Sequence, residues 1–77
     1  MSADDVTNEQ LLLDIENTKK EAEAYTLIAS GEKILASLPE NAGDRFHNNR
    51  VIVLEANAND CRKFLALLND IKQQRGL

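Results

Sequence analysis

The chain has no tryptophan, one cysteine, one histidine and one proline, and aromatics make up only 4% of its residues. Each scarcity removes a class of solution. One cysteine forms no internal disulfide, and one cysteine with one histidine does not complete a zinc site, so neither a metal nor a cofactor is expected. A lone cysteine suits a reducing, cytoplasmic setting. One proline and three glycines supply too few turns for a β-sandwich or barrel, and β-branched and aromatic residues are too sparse to build one. No stretch approaches the roughly 18 consecutive apolar residues of a membrane span. Met1-Ser2-Ala3-Asp4-Asp5 is acidic and lacks the apolar core of a signal peptide, so neither a leader nor membrane insertion is expected.

What is present is ordinary for one small folded domain: 77 residues, 43% hydrophobic and 29% charged. A chain this short buries only about 60% of its unfolded surface. Without bridges or metals it depends on long helices or on self-association. The net charge of −4 repels phosphate, so direct nucleic-acid binding is not expected. The charge is uneven. Residues 1–40 hold nine acids and three bases, whereas residues 41–77 hold four acids and six bases. Halves of opposite sign can pair within a chain or between chains.

Residues 1–6 read as a flexible acidic tail. Thr7-Asn8-Glu9-Gln10 matches a capping box, with Thr7 as N-cap and Gln10 reaching back. A helix of about residues 7–38 comes next, uninterrupted by proline. Leu11, Ile15, Thr18, Ala22, Tyr25 and Ala29 repeat at spacings of four and three, the period of one helix face. A second row, Ala24, Ile28, Gly31, Leu35 and Leu38, runs displaced around the same helix. Glu16–Lys20 and Lys19–Glu23 are i,i+4 pairs of a solvated face. Gly31 costs a helix about 1 kcal/mol relative to alanine, and marks a kink or the close approach of a neighbouring helix.

The loop, about residues 39–44, is the one clear break. Proline disfavours helix at the residue before it, and Asn41, Gly43 and Asp44 are turn formers, with Asp44 placed to cap a second helix. That helix spans about residues 45–75, with Gly76 as its stop. Val51, Leu54, Ala58, Cys61, Leu65 and Leu68 form its apolar row, flanked by Phe64 and Ile71. Arg50-Val51-Ile52-Val53-Leu54 has local strand propensity, but the heptad phase passes through it without a slip, which favours helix. Five asparagines (Asn48, Asn49, Asn57, Asn59, Asn69) lower the helix propensity, so this segment relies on tertiary packing.

Two helices of equal length joined by a short loop make an antiparallel all-α hairpin. Each carries more apolar surface than one partner covers. A homodimer or higher even oligomer, with two hairpins forming a four-helix bundle, is therefore expected. The residues assigned to core or oligomer interface are Leu11, Ile15, Tyr25, Ile28, Leu35, Val51, Leu54, Cys61, Phe64, Leu65 and Leu68.

Catalysis finds no support. Cys61 and His47 are the only nucleophile and base, and fourteen residues of one helix hold them about 21 Å apart. The carboxylates form no inward-facing metal set, and Gly31 and Gly43 stand apart rather than in a phosphate loop. Cys61 reads as a small core residue, and His47 as a solvated or helix-end group. The most distinctive surface is the start of the second helix. Phe46, His47, Asn49 and Arg50 combine an aromatic, an amide and a guanidinium, the residue types of interface anchors. The bland reading has Phe46 plugging the bundle end against Leu35 and Leu38. The sequence thus points to a non-enzymatic regulator that binds and inhibits or sequesters another protein. In size and architecture it is like the inhibitors and antirepressors of phages and mobile elements, an analogy that no motif carries. Two other classes are open: a sponge for a nucleotide-like ligand held between protomers by Arg45, His47, Asn49 and Arg50, and a purely structural assembly factor.

Overall fold

The computed structural model describes residues 5–77. Most of the acidic tail, Met1 to Asp4, lies outside these described residues. Two long helices, α1 (Asn8–Ser37) and α2 (Phe46–Gln74), pack against each other, joined through one 3-10 turn at Pro39–Asn41. Among the described residues there is no strand. Val51–Val53 is helical, as the unbroken heptad phase requires. The hairpin is 52 Å long and 17 Å by 15 Å across.

Each end of each helix has a local cause. At the start of α1 the Gln10 backbone N–H donates to Thr7 Oγ1 at 3.1 Å, satisfying one of the free first-turn donors. The other half of the expected capping box does not form. The Gln10 side chain turns forward and its Nε2 donates to Asp14 Oδ1 at 2.7 Å, a charge-assisted bond one turn on. Helix α1 stops ahead of Pro39, and the Leu35 carbonyl near its end accepts from Asn41 Nδ2 at 2.7 Å and from the Leu38 N–H at 3.3 Å. At the start of α2 Arg45 holds the N-cap position without a side-chain cap bond, and Asp44, one residue earlier, accepts from the Phe46 backbone N–H at 2.9 Å. At the far end Gly76 adopts φ 73°. The Leu77 N–H then reaches the Lys72 carbonyl at 3.1 Å and the Gly76 N–H reaches that of Gln73 at 3.0 Å, the paired bonds of a Schellman stop. Arg75 Nη1 donates to Asn8 Oδ1 at 3.0 Å, tying the two open ends together.

The seam between the helices follows the two rows read from the sequence. Leu11, Thr18, Ala22 and Ala29 of α1 and Ala58 and Leu68 of α2 are buried. Ile15, Tyr25, Val51, Leu54, Cys61 and Leu65 are half-buried alongside them. Ile28, Leu35 and Phe64, also assigned to core or oligomer interface, are exposed in the single hairpin. They belong to rows displaced around their helices and point away from the seam, because each residue advances about 100° around the axis.

One flank of the seam is polar. Lys33 and Glu55 pair at 2.6 Å, and Arg62 donates to Thr26 Oγ1 at 2.7 Å and to Asn59 Oδ1 at 2.9 Å. These are partly exposed contacts that fix the flank more than they stabilise it. Glu16–Lys20 closes at 3.5 Å on the solvated face, whereas Lys19–Glu23 does not close. No helix among the described residues is long and apolar enough to cross a membrane.

Candidate protein-binding site

Continuing the inner row of α1 by three residues from Ala29 reaches Glu32. The heptad places this carboxylate in the seam, where it is only 8% exposed. An unpaired buried carboxylate is costly, and α2 supplies its partners from the mirrored distance beyond the loop. His47 Nδ1 meets Glu32 Oε2 at 2.6 Å, and Arg50 Nε meets Glu32 Oε1 at 3.3 Å. Each carboxylate oxygen thus has its own partner, and no buried side-chain polar atom among the described residues is left without one.

The pairing organises the surface around it. With its Nε held by Glu32, the Arg50 guanidinium lies 5.8 Å from the centre of the Phe46 ring, a cation–π distance. Phe46 meets the His47 ring edge-on, with centroids 5.2 Å apart and planes at 78°, a favoured aromatic geometry. In the single hairpin Phe46 is not buried against Leu35 and Leu38. It stays exposed, steadied by two neighbours that the carboxylate fixes. Phe46, Asn49, Arg50, Val53 and Leu54 line a shallow groove of about 360 Å³ on α2.

All four residues expected to bind a partner thus fall in one patch, with different tasks. Phe46 and Asn49 face outward, His47 is half-buried, and Arg50 does both, gripping Glu32 and stacking on Phe46. Glu32 is a residue that sequence reasoning misses. A carboxylate at a seam position of an otherwise uncharged heptad row is the available signal. The groove also draws on Val53, whose place beside Phe46 follows from their spacing of two turns.

Elsewhere the side chains offer less. Cys61 Sγ lies 3.9 Å from Glu21 Oε2, a weak contact on a small seam residue, and His47 is committed to Glu32. Among the described residues no group of three or more His, Cys, Asp or Glu could hold a metal ion. Both His47 and Arg50 are spent on a carboxylate, which lowers the field available to an anionic ligand at this end. Comparison of the chain with protein-family models, curated proteins and solved structures finds no match.

Proposed function

We propose that the chain is a non-catalytic protein-binding module, a small regulator that inhibits or sequesters another protein by occupying its surface. It works as a homodimer or higher even oligomer, with two hairpins together supplying four helices. The carrying observation is the exposed Phe46–Arg50 patch held by buried Glu32. Interface anchors are aromatic and arginine side chains whose geometry is set before binding, and this patch has both, braced from beneath by an ion pair. Its groove suits a partner segment that offers an aliphatic side chain against Phe46 and Val53 and a carbonyl toward the outer nitrogens of Arg50.

The test is native mass spectrometry of tagged protein isolated from its source cells, comparing wild type with Phe46→Ala and Arg50→Glu. The expected result is one additional protein of defined mass on wild type, lost from both variants while their helical circular dichroism persists. Retention of that protein by both variants would place the binding surface elsewhere. A bare homo-oligomer in wild type would overturn the regulator reading in favour of structural assembly.

A further inference from the structure

We infer that a second copy of this chain docks on the outer face of α1, with Ile28 of each copy seated in a hole floored by the other's Gly31. The inference rests on the self-association reading above and gives it a contact. On a helix surface a residue is surrounded by its neighbours three and four positions away on either side. Around Gly31 these are Leu27, Ile28, Ile34 and Leu35, all large aliphatics and between 40% and 74% exposed. Nothing lies within 4 Å of the point where a Cβ on Gly31 would stand. No contact inside the hairpin therefore calls for glycine there, within a 30-residue helix that glycine weakens. A helix position without a side chain, ringed by four aliphatics, is a hole shaped for an apolar knob from another helix.

The sequence of the row indicates which helix supplies the knob. Ala24, Ile28, Gly31 and Leu35 read small, large, small, large. Laid antiparallel on its own copy about a two-fold axis between residues 29 and 30, the row sets Ile28 over the partner's Gly31 and Leu35 over the partner's Ala24, and the reverse. Every large side chain meets a small one, the arrangement that lets facing layers interdigitate, and the contact is self-complementary as a two-fold interface requires. None of these four positions is charged, so the pairing buries no ion. The row lies about 130° around α1 from the α2 seam at 100° per residue. The second copy thus leaves α2 in place, and both Phe46–Arg50 patches stay on the outer helices.

Sedimentation equilibrium of the full chain tests the contact, with wild type, Gly31→Leu and Gly31→Ala measured over a range of concentrations. Wild type is expected at twice the 8.6 kDa chain mass or an even multiple of it. Gly31→Leu fills the hole and should halve that mass while the helical circular dichroism is kept, because the new side chain meets open space within the hairpin. Gly31→Ala should weaken the association at least tenfold. A wild type that sediments at the chain mass overturns both the self-association reading and this contact. An oligomeric wild type with an unchanged Gly31→Leu overturns this contact alone. If Gly31→Leu loses its helix signal, Gly31→Ala decides, and an unaltered dissociation constant overturns the contact.

Discussion

Between the helices Leu11 is 1% exposed, and it is joined there by alanines, a threonine and a glutamate. On the outside of the same helices Ile52 is 65% exposed, in company with Leu27, Ile34, Val53 and Leu67. The bulk of the large aliphatic surface is thus turned away from the interior. Small seam residues bring two helices close and fix their register, but they remove little apolar area from water, and it is area that drives folding. The seam specifies the hairpin, and the outer faces hold the unused driving force. A helix with apolar residues on more than one side is normally covered on more than one side.

The comparison is broken most severely at Leu11. Leu11→Ala should cost about 3 kcal/mol, read as a lowered urea midpoint at fixed protein concentration. Ile52→Ala, the same kind of truncation on the outside, should stay within about 0.5 kcal/mol. Equal shifts for the two would mean that inside and outside are not distinguished in solution. Next comes the polar member of the seam. Glu32→Ala removes the shared acceptor of His47 and Arg50 and should cost about 2 kcal/mol, below the usual range for a broken buried pair because Arg50 is half exposed. It should also free the Phe46 ring, seen as a change in the proton chemical shifts of that ring, which an intact patch would not show. The smallest effect belongs to the polar flank. A double-mutant cycle on Lys33 and Glu55 should return a coupling of about 0.5 kcal/mol or less that fades in high salt. A coupling several times larger would move part of the stability from the seam to that flank.

Much of this division is legible in the sequence. The rows from Leu11 to Ala29 and from Val51 to Leu68 carry the heptad spacing, and the structure packs them against each other. Phase alone resolves Val51–Val53, where local propensity leans toward strand. The turn chemistry is equally local, since Thr7, Asp44 and Gly76 each act within three residues of where they stand. What escapes the sequence depends on pairs distant along the chain. Ile28, Leu35 and Phe64 are assigned to core or oligomer interface without a choice between the two, and only the partner helix shows that their rows do not face it. Glu32 reads as a solvated acid until His47 and Arg50 are brought opposite it across the loop. Gln10 illustrates the same point at short range, where its amide turns forward to donate to Asp14 and not back to accept from the Thr7 N–H.

The antiparallel register also sets an order in which contacts can form. Glu32 and His47 are 15 residues apart, whereas Asn8 and Arg75 are 67 apart. Closing the longer span from an open chain costs about 1.3 kcal/mol more in chain entropy than closing the shorter one. Once the Glu32–His47 contact has formed, each successive turn toward the open end needs only a short additional closure. The hairpin should therefore zip from its loop and fray from its termini, with amide hydrogens near Asn8 and Arg75 exchanging first and those near Ala29 and Leu54 last.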